Sequence, residues 1–109
     1  MSISENKMKV AITTTNGKSI DMHFGKAKHF YIYELVNGGL KFMEKRESVM
    51  FASENENHPF NEDRFNQVYQ TIKDCRFLYT AKIGDTPAHM LRRNGVIAET
   101  IECEIESLM

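Results

Sequence analysis

The amino-acid sequence predicts an α/β fold: one small domain, residues 1–109 with a core over about 8–101, in which a mixed β-sheet is flanked by helices. Three observations carry this. Strand-like stretches lead the chain, and helical and strand-like stretches then alternate through its second half. That order is expected when a hairpin is joined to parallel strands by right-handed crossovers. Asn37-Gly38-Gly39 separates two strand-like runs, which is a hairpin signal. Finally, 109 residues with 41% hydrophobic content can bury a working core with neither disulfides nor a structural metal.

The elements follow in order. Met8–Thr15 is short, apolar and β-branched, and reads as a buried strand. Asn16-Gly17 turns the chain, and a short strand follows over Ser19–Met22. Phe30–Val36 reads as a strand that returns as Leu40–Arg46, with Leu40, Phe42 and Glu44 on one face. Glu47–Pro59 lacks periodicity and is rich in Ser, Asn and Glu, a long loop of the kind that is often functional or disordered. Asn61 caps a helix, Glu62 and Asp63 suit its positive end, and Phe60 staples onto Phe65. Phe65, Val68, Tyr69 and Ile72 form its apolar stripe, and it should end near Asp74 or Cys75. Phe77–Ala81 is a central strand. Gly84-Asp85-Thr86-Pro87 opens a second helix, with Thr86 as N-cap and Pro87 in the first helical position. Asn94-Gly95 closes that helix. Val96–Thr100 is a strand, and Glu102–Met109 a short terminal helix.

Composition removes several function classes. The formal charge is −1, so no basic excess draws the chain to nucleic acid or an anionic membrane. No segment approaches the roughly 18 apolar residues of a spanning helix. The start, Met1–Lys7, lacks an apolar signal core, so the expected compartment is the cytoplasm. Cys75 and Cys103 are too few and too distant for a zinc or iron–sulfur spacing motif. A reducing compartment also argues against a disulfide between them. A two-metal nuclease would need clustered carboxylates, and Met8–Thr15 offers none.

The candidate chemistry centres on His23-Phe24-Gly25. Imidazole is a common metal ligand near neutral pH, and glycine allows a sharp bend or a close approach to a bound group. The plainer alternative is a turn histidine with a backbone or solvent partner. Gly84, Asp85 and Thr86 lie between a strand and a helix, where main-chain amides suit an anion. That segment carries neither a Walker loop nor a dinucleotide fingerprint, and a simple helix cap would also explain it. Cys75 could bind a soft metal as a thiolate, or be a small buried hydrophobe. His58, in the long loop, could fold over a site. His29 and His89 fit no ligand spacing, and surface positions explain them as well.

With those residues in place, the chain resembles the nitrogenase cofactor-biosynthesis family, the group containing NifX, NafY and the carboxyl-terminal domain of NifB. The resemblance runs from Lys9-Val10-Ala11-Ile12 through His23-Phe24-Gly25-Lys26-Ala27 to Phe30-Tyr31-Ile32-Tyr33-Glu34. It continues through Ile72-Lys73-Asp74-Cys75, Ala81-Lys82-Ile83-Gly84 and Leu91 to Gly95-Val96. It implies a ribonuclease H-like mixed sheet and a non-enzymatic carrier that binds iron–molybdenum cofactor, or its iron–sulfur cluster precursor, and hands it on. His23 would be the main cluster contact, with Phe24, Gly25 and the Gly84–Thr86 turn around it and Cys75 and His58 as further metal contacts. Its partners would be the cluster and cofactor-assembly proteins. Where NifB-like tails often carry a cysteine after the Ile-Gly pair, this chain has Asp85-Thr86. Fewer thiolates imply a loosely held cargo. The competing reading is a protein-interaction or regulatory module of the same fold that binds no cluster.

Overall fold

The computed structural model describes residues 8–50 and 62–108. Strands β1 (Met8–Ile12), β2 (His29–Val36) and β3 (Gly39–Glu47) come first, followed by α1 (Glu62–Ile72), β4 (Phe77–Thr80), α2 (Asp85–Arg93) and β5 (Ile97–Thr100). Short 3₁₀ turns lie at Phe24–Lys26 and Ile105–Leu108. The five strands form one mixed sheet in the order β3-β2-β1-β4-β5. β1 pairs antiparallel with β2 and parallel with β4, and β4 pairs parallel with β5. The predicted α/β class holds. The middle strand is β1, while β4 is interior between β1 and β5.

Alternation along β1 divides the core between the two faces of the sheet. On one face Ala11, Phe30, Ile32 and Leu78 pack against Phe65, Val68 and Ile72 of α1 and Leu91 of α2. Phe65, Val68 and Ile72 of the predicted stripe are the buried face of α1, each contributing about 1.5–3 kcal/mol by leaving water, while Tyr69 is only partly buried beside them. On the other face Val10, Ile12, Tyr33 and Leu40 pack with Ile20 and Ile105. Coverage there comes from irregular chain: Ile20 N–H donates to the Cys103 carbonyl at 2.9 Å, and Ile105 N–H to the Lys18 carbonyl at 2.7 Å.

Several expectations need correction. The first strand stops at Ile12, because Thr13 and Thr14 turn into a loop braced by its own polar side chains. Asn16 Oδ1 accepts from the Lys18 and Ser19 amides, and Asp21 accepts from both the amide and the hydroxyl of Thr15. These hydrogen bonds compete with ladder formation. Ser19–Met22 is accordingly no strand; only the isolated bridges Ser19–Glu104 and His23–Lys82 form. The β2–β3 hairpin turns on Asn37 (φ 51) and Gly38 (φ 83), the mirror-image turn an Asn-Gly pair favours. Beyond it Tyr33 faces Phe42, yet Ile32 faces Glu44. Met43 is thus a bulge, and Glu44 lies on the opposite face from Leu40 and Phe42.

The second helix begins earlier than expected. Gly84, with φ −70 and ψ 159, is its N-cap, and Thr86 lies inside the first turn. Pro87 is tolerated in that turn because the first amides of a helix have no partner within it. At the other end Gly95 (φ 92) follows the Asn94 C-cap, as expected. The terminal helix is a single 3₁₀ turn, Ile105–Leu108. The expected cap at Asn61, the staple by Phe60 and most of the Glu47–Pro59 loop lie outside the described residues. Among the described residues no helix is long and apolar enough to cross a membrane.

Candidate functional site

The carboxyl ends of the parallel strands β1 and β4 are where ligands gather in sheets of this kind. Thr13 leaves β1 there, its amide donating to the Tyr79 carbonyl at 3.1 Å. Thr80 ends β4 beside it. Both threonines are fully buried, and their hydroxyl oxygens are 2.8 Å apart. Thr13 Oγ1 donates to the Met22 carbonyl at 2.7 Å, and Thr80 Oγ1 lies 3.1 Å from the same oxygen. The Ala81 amide donates to it as well, at 3.2 Å. This cluster fastens the segment before His23 onto the ends of two strands.

His23 is held in place by its backbone. It bridges Lys82 in parallel register, and the Phe24 amide donates to the Lys82 carbonyl at 2.8 Å. Phe24, 1% exposed, drives its ring into the core beside Phe30 at a centroid distance of 6.2 Å. The Lys26 amide then donates to the His23 carbonyl at 3.0 Å, closing the 3₁₀ turn. The His23 side chain is exposed and makes no capping hydrogen bond. Local design is therefore simple: Phe24 goes in and His23 stays out.

The Gly84-Asp85-Thr86 segment lies two residues beyond the His23–Lys82 bridge, so the structure brings these two predicted groups to one rim. Gly84 caps α2 without a side-chain hydrogen bond, and all three residues are exposed. The rim thus presents the His23 imidazole beside the positive end of a helix.

Cys75 is not part of this rim. It precedes β4 while Lys82 follows it, so the length of that strand, about 20 Å with its flanking residues, separates Cys75 from His23. The thiol is buried, and burial together with the charge of Asp74 pushes its pKa up to about 12. Asp74 in turn accepts from Arg46 Nη1 at 2.7 Å and from Lys9 Nζ at 3.2 Å. His58 lies outside the described residues. His89 is exposed on α2, and His29 packs its ring near Tyr31 at 5.9 Å. Among the described residues no three His, Cys, Asp or Glu side chains gather as a metal site. Sequence reasoning missed the Thr13–Thr80 cluster. Its only signal was a run of threonines directly after an apolar strand, where a hydroxyl must find a partner.

Comparison with known proteins places the chain in a family. The NifB protein of Bradyrhizobium diazoefficiens, a FeMo cofactor biosynthesis protein, is 34% identical over 87 residues, which is 80% of this chain and 17% of that protein. Protein NifX of Sinorhizobium fredii is 32% identical over 82 residues, 74% of this chain and 51% of NifX. The chain therefore spans under a fifth of that NifB and about half of that NifX. The crystal structure of PH0822 superposes with a TM-score of 0.65 at 20% identity, covering 92% of this chain and 85% of that one, and so shares the fold. A family model described as dinitrogenase iron-molybdenum cofactor matches residues 6–107, and the chain belongs to that family.

Proposed function

We propose that this chain acts in the biosynthesis of iron–molybdenum cofactor as a non-enzymatic carrier. It binds the cofactor or its iron–sulfur precursor as cargo through His23 and passes it to cofactor-assembly proteins in the cytoplasm. Family membership supports the pathway. The observation that carries the site is the His23–Lys82 bridge, which sets an exposed imidazole beside the start of α2. Imidazole suits an iron of the cluster, and the Asp85 and Thr86 amides suit its negative charge. Buried Phe24 anchors the turn, and Gly25 follows it. The donor set also fits a cargo better than a resident ion. A structural metal site takes about four protein ligands, whereas a single side-chain ligand permits release.

Anaerobic titration with a synthetic iron–sulfur cluster tests this. The chain should take up a coloured cluster, and His23→Ala should weaken uptake at least about tenfold, the loss of one good ligand. Cys75→Ala should bind as the parent does. Equal uptake by His23→Ala would remove that residue from the site. No uptake by the parent would favour the protein-interaction module instead.

A further inference from the structure

The chain carries three Asn-Gly pairs: Asn16-Gly17, Asn37-Gly38 and Asn94-Gly95. In such a pair the carboxamide carbon of asparagine comes within reach of the next main-chain nitrogen. Glycine leaves that nitrogen unshielded, because it has no Cβ. Whether the two groups meet depends on what else holds them, since a hydrogen-bonded group must give up its partner first.

The fold treats the three pairs differently. At the first, the Gly17 amide donates to Thr14 Oγ1 at 3.0 Å. Asn16 Oδ1 accepts from the Lys18 amide at 2.8 Å and from the Ser19 amide at 3.1 Å. At the last, the Gly95 amide donates to the Arg92 carbonyl at 3.1 Å, and Asn94 Nδ2 to the Met90 carbonyl at 2.7 Å. Both reacting groups are therefore engaged in each of these pairs. Asn37 and Gly38 instead form the exposed tip of the β2–β3 hairpin. The ladder closes outside them, on Val36 and Gly39. Among the described residues neither the Asn37 carboxamide nor the Gly38 amide has a hydrogen-bond partner. The space is open too: a Cβ at Gly38 would meet nothing within 4 Å.

We propose that Asn37 is a site of spontaneous deamidation, and that the fold holds back the same reaction at Asn16 and Asn94. Hydroxide takes the Gly38 amide proton, and the nitrogen attacks Cγ of Asn37. A Cγ–N bond forms, the Cγ–Nδ2 bond breaks, and the leaving nitrogen departs as ammonia with a proton from water. Water then opens the cyclic imide. Cleavage at Cγ gives aspartate at position 37, and cleavage at the main-chain carbonyl gives isoaspartate. The net change is water in and ammonia out. Isoaspartate adds a carbon to the main chain of a turn whose length sets the register of the hairpin. The Leu35–Leu40 and Tyr33–Phe42 pairs beside it should loosen as that product accumulates. The site is separate from the His23 rim and does not rest on the cargo assigned to it.

The test is peptide mapping by mass spectrometry after the native full chain has stood at mildly alkaline pH and physiological temperature. Trypsin places the three pairs on three different peptides. The Asn37 peptide should convert to aspartyl and isoaspartyl forms, faster as hydroxide rises. The Asn16 and Asn94 peptides should lag about tenfold or more, the rate equivalent of breaking two hydrogen bonds. In denaturing urea all three should convert at similar rates. Thr14→Val removes the partner of the Gly17 amide and should speed conversion at Asn16 about fivefold, one hydrogen bond's worth. Conversion at Asn94 should stay slow in that variant, which separates local release from unfolding. The proposal fails if native Asn37 does not convert, if Asn16 or Asn94 keeps pace with it, or if Thr14→Val leaves Asn16 as slow as before.

Discussion

The two ends of β4 use similar residues in opposite ways. At its carboxyl end, exposed His23, Asp85 and Thr86 stand on a buried frame of Thr13, Thr80 and Phe24. At its amino end the reactive groups are consumed by the fold. Cys75 is buried, and Asp74 is engaged by Arg46 and Lys9. Arg46 also donates to the Thr71 carbonyl at 2.9 Å, so a side chain of the edge strand caps the last turn of α1. The bulge at Met43 is what turns Glu44 and Arg46 to the helix side. A reactive residue type therefore says little about function by itself. What separates the ends is whether the backbone or the side chain has been spent on stability.

The rim can be broken from beneath. Phe24→Ala should have the largest effect, because it empties a fully buried ring site beside Phe30 while leaving His23 in the sequence. Its cost should be about 3–5 kcal/mol, read from the shift in a urea unfolding curve. Cluster uptake should fall with it if the turn positions His23. Next comes Thr80→Val, which keeps the shape but deletes a hydroxyl from the cluster around the Met22 carbonyl. Thr13 still reaches that carbonyl, so only about 0.5–1.5 kcal/mol is expected. A neutral result would mean the threonines merely fill space.

Much of this contrast could be read in the sequence, and the rest could not for definite reasons. Helices and strands were legible because Phe65, Val68 and Ile72 repeat at helical spacing and Asn37-Gly38 fits only a tight hairpin. The bulge at Met43 was not, since nothing in Leu40–Arg46 marks where the alternation slips. His23 was legible as a candidate from its glycine neighbour. Its position was not, because the His23–Lys82 bridge joins residues 59 apart and depends on the register of β1 against β4. The same distance hid Cys75's place at the opposite end. Gly84 also took the capping role expected of Thr86: Pro87 stands in the third position, and the helix starts two residues sooner.

The amino end offers the smallest effect and the sharpest sign. Hydrogen bonding from Arg46, with further help from Lys9 and against a desolvation cost, holds the Asp74 carboxyl well below the usual carboxylate range. A carboxyl whose folded pKa is depressed contributes stability above its unfolded pKa of about 3.9, and that contribution fades as pH falls through and below this value. The Asp74 side chain is 44% exposed, so solvent screening limits the contribution to about 0.5–1 kcal/mol. Asp74→Asn should therefore lower the urea midpoint near neutral pH and converge with the parent below about pH 2. The two-armed contact to Arg46 makes the full range reachable, at 2.7 Å and 3.0 Å. Cluster uptake should be unchanged, because this network only joins β1, β3 and the end of α1. If Asp74→Asn weakened uptake as strongly as Phe24→Ala, the division of labour between the two ends of β4 would be wrong.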